Sequence, residues 1–372
     1  MKQVSMIGLD LAKNVFAVHG IDAAGEVVIR RSFRRAQLEK FFATLPATVV
    51  AMEACGGAYH WGRRLGGMGH EIRMMPAAYV TPYVKRNKTD GRDAEGVCEA
   101  AGRPTMRFVP VKSLESQAVL AMHRTRGVLV RQRTMLGNSL RAMMAEFGAV
   151  APKGVKGLCE LMEQLAQPTD VLPELARTSL LELKRHWEAL NASIRKMEAE
   201  IVRSTKANAT ARRIMAVPGL GPIGASATLA KVPDAQLFKR ARDFVAWIGL
   251  TPRQFGTGGK QRSGGISKQG DRTLRTLFVA GACAHLRQQL RRGVTDPWLA
   301  RLLAERPFRS SRWLTRPRWR GSSGPCWSAA SPTGRAVRPA RPQRRSPPDK
   351  PPQPSTPTRR RVPWAANEGT SG

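Results

Sequence analysis

The chain has 372 residues, a formal net charge of +35 and a pI near 11.5. That is length for two or three domains, and a charge that calls for a polyanionic partner, nucleic acid foremost. No apolar run reaches the roughly 18 residues of a membrane span, and the five widely spaced cysteines, with no CxxC, read as reduced thiols of a cytosolic protein rather than a zinc site.

The chain opens on a strand at residues 4–9 rather than a signal peptide. Strands at 15–20 and 26–29 follow, joined by a turn at Asp22-Ala23-Ala24-Gly25, which makes a meander of hairpins. Helical periodicity covers 36–45. Residues 48–53 form a fully apolar strand, as expected where both faces are covered. A helix at 57–68 and a short strand at 70–74 complete a mixed α/β sheet domain. Long helices at 113–147 and 173–208 predict a helical hairpin or coiled-coil arm, with a plain helical bundle as the alternative. Further on, Pro218-Gly219-Leu220-Gly221-Pro222 joins two helical segments through a helix-hairpin-helix-like turn. Such a turn offers free backbone N–H groups to a phosphate or serves as a tight connection with no ligand. Residues 251–272 read as a flexible loop with five basic residues among six glycines, followed by a helix from 273. Residues 309–372 hold 12 of the 26 prolines and 14 Lys or Arg against Asp349 and Glu368, without hydrophobic periodicity, so they are expected to be disordered. The same bias is what a GC-rich gene yields when read out of frame.

Four carboxylates carry the chemistry. Asp10 closes the apolar run Met6-Ile7-Gly8-Leu9, and Glu53 closes Val49-Val50-Ala51-Met52. Asp90 and Asp93 lie three residues apart, which gives them one face if the segment is helical. Transfer at a phosphodiester needs charge neutralised on the attacking and leaving oxygens, and carboxylate-held Mg²⁺ does this. A lone Asp at a strand end is more often a cap, but the set converging on one sheet edge of so basic a chain points to metal. Around it, Lys85, Arg86, Lys88 and Arg92 are expected to contact phosphates, as are Lys260, Arg262, Lys268 and Arg272 in the glycine-rich loop. Thr257, Ser263 and Ser267 supply hydroxyls there, any of which becomes a nucleophile if activated.

Five segments carry a family resemblance: Ile7-Gly8-Leu9-Asp10-Leu11-Ala12-Lys13, Met52-Glu53-Ala54-Cys55, Lys88-Thr89-Asp90-Gly91-Arg92-Asp93-Ala94, Pro218-Gly219-Leu220-Gly221-Pro222, and Gly249-Leu250-Thr251-Pro252 through Arg275. Over about residues 3–308 the chain resembles transposases of the IS110 group, more closely its IS1111 branch. The resemblance implies an α/β RNase H-like (RuvC-like) domain at 1–110 and a coiled-coil arm at 111–208. A mainly α-helical C-terminal transposase domain at 209–308 and the disordered tail at 309–372 complete the expected order. It implies that Asp10, Glu53, Asp90 and Asp93 are a DEDD set binding Mg²⁺. It further implies recombination of insertion-sequence and target DNA by a homo-oligomer, dimer or tetramer, guided by a structured bridge RNA, in a bacterial cytoplasm at the nucleoid. Family members use a C-terminal serine as covalent nucleophile, with one or two Ser before Gly-Gly-Lys. This chain departs, with Gly256-Thr257 there: a nucleophile position at 256 has no hydroxyl and strand transfer should fail, whereas one at 257 leaves Thr257 as a slower catalytic hydroxyl. The Arg/Pro-rich tail is a second departure, and both point toward a decayed copy or a product of a shifted frame. Two other readings stay open: an inactive basic nucleic-acid-binding remnant, and an actin-like kinase or ATPase, which the charge and the lack of a second Gly-rich nucleotide motif disfavour.

Overall fold

The computed structural model describes residues 3–84, 89–167, 172–294 and 297–305, all within the unit Met1–Ala330. Lys85, Arg86 and Lys88, and the tail expected to be disordered, lie outside the described residues.

The N-terminal part is a five-stranded mixed sheet in the order β3-β2-β1-β4-β5. Strands β1 (Met6–Asp10), β2 (Val15–Ile21) and β3 (Val27–Arg34) form the antiparallel meander. Strands β4 (Val49–Glu53) and β5 (Glu71–Met75) continue from β1 in parallel. Helix α1 (Arg35–Ala43) connects β3 to β4, and α2 (Ala58–Gly67) connects β4 to β5. Alternation along the strands sorts the side chains between the two faces. Ile7, Leu9, Phe16, Val18, Val50 and Met52 pack under α1 and α2 with Leu38, Phe42, Trp61 and Leu65. Ala51 and Met75 turn to the other face, against Val80 of α3 (Ala77–Val80) and Val97, Ala100 and Ala101 of α4 (Asp90–Ala101). Strand β3 is longer than the expected 26–29, because its second half carries exposed Arg31, Ser32 and Arg34 around a single core-packed Phe33 and shows no sustained apolar alternation.

Helix α5 (Leu114–Ala145) starts at the Ser113 cap, whose Oγ accepts from the Ser116 amide. It runs antiparallel to α7 (Glu174–Ala207), and cross-pairs fix the register. Arg126 donates to Glu198 (2.7 Å through Nε), Arg133 donates to Asn191 (3.1 Å), and the Gly137 backbone comes up against Leu158 and Trp187. The helix α6 (Val155–Ala166) was not anticipated. It presents Leu158, Leu161, Met162 and Leu165 to Leu140, Met144 and Leu180 at the far end of the pair. The expected two-helix arm is therefore capped by a third helix.

The remaining described chain comprises α8 (Ala209–Met215), α9 (Pro222–Lys231), α10 (Ala241–Trp247), strands β6 (Pro252–Thr257) and β7 (Lys260–Ile266), α11 (Arg272–Arg292) and α12 (Pro297–Glu305). The stretch expected to be a flexible loop is thus an antiparallel hairpin. Its two-residue connection is Gly258-Gly259, with φ of +56° and +78°. Positive φ at both central residues is the turn whose twist matches that of paired strands, and glycine adopts it without strain. Arg272 opens α11 rather than lying in the loop.

Candidate metal centre

Asp10, Asp90 and Asp93 come together, with one carboxylate oxygen from each within 4.8 Å of the others. Asp10 sits at the C-terminal end of β1. The other two are in the first turn of α4, three apart as the sequence spacing requires for one face. Helix α4 can lie this close because β1 carries a glycine beneath it. A Cβ on Gly8 would stand 2.1 Å from the Ala94 carbonyl oxygen and 2.7 Å from the Cys98 amide nitrogen. Burial pushes the Cys98 thiol up to about 11, opposed by its contact with the Gly8 backbone and aided by Glu95, so it packs there as a neutral thiol.

Acids in the first turn of a helix are favoured on their own account, by about 0.3–1 kcal/mol each from the helix dipole. That preference concerns Asp90 and Asp93 alone, since Asp10 lies on β1. The dipole therefore does not explain the convergence. Three hard oxygen donors at this spacing fit Mg²⁺, Mn²⁺ or Ca²⁺ rather than a soft metal.

Glu53 belongs to the neighbourhood but not to the trio. The parallel register pairs Leu9 with Met52, so Glu53 ends the strand beside Asp10, on the same sheet face. Its carboxylate is not among the three that converge. The thiol of Cys55 registers both acids: its burial, then Glu53 and Asp10, push its pKa up, while a backbone contact opposes them. His19 lies on the same face and is buried, with its Nδ1 lacking a partner among the described residues. Burial lowers its pKa, Glu95 opposes the shift and Arg30 adds to it, so His19 is neutral at physiological pH.

Thr257 is exposed next to the tip of the β6–β7 hairpin, in a separate sheet, and is not part of the carboxylate cluster. Lys260, Arg262, Lys268 and Arg272 are exposed on or just beyond the hairpin, and Arg92 is exposed on α4. The hairpin's root is locked. Cβ atoms on Gly249 and Gly270 would stand 2.1 Å from the Gln269 carbonyl oxygen and 1.8 Å from that of Trp247. Arg275 donates to the carbonyls of Ile248 (2.9 Å) and Gln269 (2.7 Å), and Asp271 caps α11 while taking an ion pair from Lys231. A feature absent from the sequence reading is the run Arg30-Arg31-Ser32-Phe33-Arg34-Arg35 at the end of β3; its signal is four arginines in six residues.

Comparison with known proteins gives first a class. A family model for DEDD transposases of the IS110 type, described as a transposase, matches residues 7–148. A second, described as the transposase IS116/IS110/IS902 family, matches residues 211–295. The chain is 48% identical over 307 residues to a probable family 20 transposase of Pseudomonas aeruginosa, covering 82% of this chain and 91% of that one. It is 42% identical over 306 residues to a putative transposase of Sinorhizobium fredii, covering 82% and 79%. It is 38% identical over 314 residues to the transposase for insertion sequence element IS1111A of Coxiella burnetii, covering 82% and 85%. The chain belongs to the IS116/IS110/IS902 transposase family. Membership implies DNA as partner, and its DEDD pattern suggests a divalent metal, for which the acidic cluster is the candidate seat. No helix among the described residues is long and apolar enough to cross a membrane.

Proposed function

We propose that this chain is a metal-dependent recombinase that cuts and joins DNA strands in insertion-sequence transposition, with Asp10, Glu53, Asp90 and Asp93 as its metal-binding set. The convergence of three of these acids from β1 and α4 carries the reading. The sheet order and strand senses support an RNase H-type, RuvC-like catalytic domain at 1–110. The arm then spans 111–208, the C-terminal transposase domain 209–308, and the basic tail 309–372. A bound Mg²⁺ would supply Lewis-acid stabilisation of charge on the phosphodiester oxygens. The carboxylates fix the cation's place. Lys260, Arg262, Lys268, Arg272 and Arg92, with Lys85, Arg86 and Lys88, neutralise the backbone of DNA and of a structured guide RNA. Thr257 offers the hydroxyl for attack on phosphorus: its Oγ1 would bond to the phosphate as the bond to one strand oxygen breaks, that oxygen leaving with the proton, and a strand-end hydroxyl would later displace Thr257 to rejoin the DNA. Self-association to a dimer or tetramer is supported by apolar side chains spaced by heptads on the outside of α5: Leu114, Val128 and Met135 are 65%, 41% and 60% exposed. The action belongs to the bacterial cytoplasm, at the nucleoid.

One observation favours a second reading, an inactive nucleic-acid-binding remnant: Gly256 offers no hydroxyl, and the Thr257 hydroxyl is on a branched carbon. Both readings are separated by one experiment. The chain, with its element's DNA ends, guide RNA and a target in Mg²⁺, should yield recombined product, and Asp10→Asn should abolish it. If the natural chain is silent, Gly256→Ser or Thr257→Ser should restore product. Silence of all three as folded, DNA-binding proteins overturns the recombinase reading.

A further inference from the structure

We propose that the face of β3 turned toward α4, carrying Arg30, Ser32 and Arg34, is a phosphate track that leads a DNA strand into the carboxylate cluster. This rests on the reading that the cluster acts on a DNA phosphodiester. The register sets the geometry. Asp10 pairs with Ala17, and Ala17 pairs with Ser32, so the three form one row across the sheet on one face. Two strand spacings place Ser32 roughly 10 Å from Asp10. The row is low, because Ala17 and Ser32 are small. It is flanked by Arg30, opposite His19, and Arg34, opposite Val15, each about 7 Å along the strand from Ser32. All three β3 residues are exposed.

The arginines of the run do different things. Arg35 is committed to the fold: it donates to the Lys13 carbonyl and lies over the rings of Phe16 and Trp61, 5.4 Å from each centroid. Arg31 points to the opposite face, where it covers Phe33 at 5.5 Å. Arg30 leans toward α4, with its guanidinium 3.7 Å from Glu95 and its side chain still 64% exposed. An ion pair this open contributes little, so it orients the guanidinium without occupying it. Arg34, on the same face, closes the other side of the row. A guanidinium fork on each side of a small-residue floor is a geometry for successive phosphates of one strand.

The competing reading is edge protection, since charged residues on an outer strand discourage pairing with other chains. That role makes no distinction between the faces of β3, whereas a track that ends at Asp10 uses only one. The test uses the full chain, with a fluorescent thymidine oligonucleotide titrated in EDTA across a range of salt. Arg30→Gln with Arg34→Gln should lower the slope of log K against log[salt] by about 1.4, two phosphates at about 0.7 each for a single strand. Arg31→Gln should leave it unchanged, and Arg30→Lys with Arg34→Lys should retain most of it. An unchanged slope in the double Gln variant, or an equal fall in Arg31→Gln, overturns the track. A photo-crosslinking residue at Ser32 should then capture DNA, and one at Arg31 should not; capture of RNA alone, or of nothing, from position 32 also overturns it. Binding in EDTA does not depend on metal, so loss of recombination with the slope effect intact would count against the enzymatic reading and leave the track standing.

Discussion

Gly8→Ala tests the contact on which the carboxylate cluster depends. The added methyl would lie 2.1 Å from the Ala94 carbonyl oxygen, 2.7 Å from the Cys98 amide nitrogen and 2.8 Å from the Cys98 Cβ. The first two atoms are helix backbone, so no rotamer change relieves the clash. A comfortable C···O approach is about 3.3 Å, so α4 must retreat from β1 by about 1.2 Å. A gap of 0.5–1 Å already forfeits a quarter to a half of the dispersion between packed surfaces. The buried face at stake comprises Ala94, Val97, Cys98 and Ala101. We expect a loss of about 3 kcal/mol, as for other overpacked cores, seen as a fall in Tm of roughly 6–12 °C. Because Asp90 and Asp93 ride on α4, their distance from Asp10 grows by more than the roughly 0.5 Å that a functional site tolerates. Mn²⁺ affinity, read from the EPR signal of the free ion, should therefore drop about 10–100-fold. Gly91→Ala is the control, since its Cβ meets nothing within 4 Å and lies in the same helix. It should be neutral or add up to about 1 kcal/mol. A Gly8→Ala protein that melts within about 1 °C of the natural chain and binds Mn²⁺ equally well would refute the contact; a lowered Tm with unchanged Mn²⁺ binding would refute the metal seat alone.

Acidification should weaken the junction between α5 and α9. His123 contacts the Ser226 hydroxyl at 3.0 Å, and its pKa is lowered from 6.5 to about 4 by burial first, then by Arg126 and Lys231. The unfolded chain takes up this proton before the folded one. The contribution is therefore complete above pH 6.5 and is lost as pH falls toward about 4. Discounted for partial exposure, it amounts to about 2 kcal/mol, measurable as a falling urea midpoint that His123→Gln flattens; equal slopes in both proteins would exclude the assignment. Gly281→Ala should cost about 2–4 kcal/mol, because its Cβ would stand 2.0 Å from the Gly219 carbonyl oxygen. Gly221→Ala in the same turn meets nothing within 4 Å and should change the urea midpoint little; equal effects of the two would refute the packing.

What the sequence made legible follows from which signals are local. Strands β1, β2, β4 and β5 are apolar runs ended by turn residues, and their bounds lie within about two residues of expectation. The outer half of β3 holds a single apolar residue, Phe33, among two arginines and a serine, so alternation could not mark it. The β6–β7 hairpin is fully exposed at all but its last residue, Ile266, and its many glycines resemble a loop. Its Gly258-Gly259 pair was nevertheless a hairpin signal. Helix α6 carries apolar residues at 158, 161, 162 and 165, a local helical spacing that marks it in the sequence. Within the site, the three-residue step from Asp90 to Asp93 was local and legible. The approach of α4 to β1 was not, because Gly8 acts only when a helix far along the chain, through Ala94 and Cys98, comes to lie on it. The offset of Glu53 from the trio is a matter of ångströms that no spacing encodes.

Fold and chemistry place separate demands on this chain, and they meet differently on its two halves. At Gly8 the residue that lets α4 close on the sheet is the same one that brings the acids together, so a change there reaches stability and site at once. At the hairpin the demands come apart. Gly249 and Gly270 are fixed by backbone atoms closer than 2.5 Å to where a Cβ would stand, whereas the space around Gly256 is empty within 4 Å and its φ is not positive. A serine would fit at 256 without displacing anything, and its absence leaves the strand pairing of Gly256 with Gln261 untouched. A chain without a hydroxyl at 256 keeps its core, its carboxylate cluster and its basic surface. Stability or DNA affinity therefore cannot report whether the chain still recombines DNA; only product formation, and its response to a hydroxyl at 256 or 257, can.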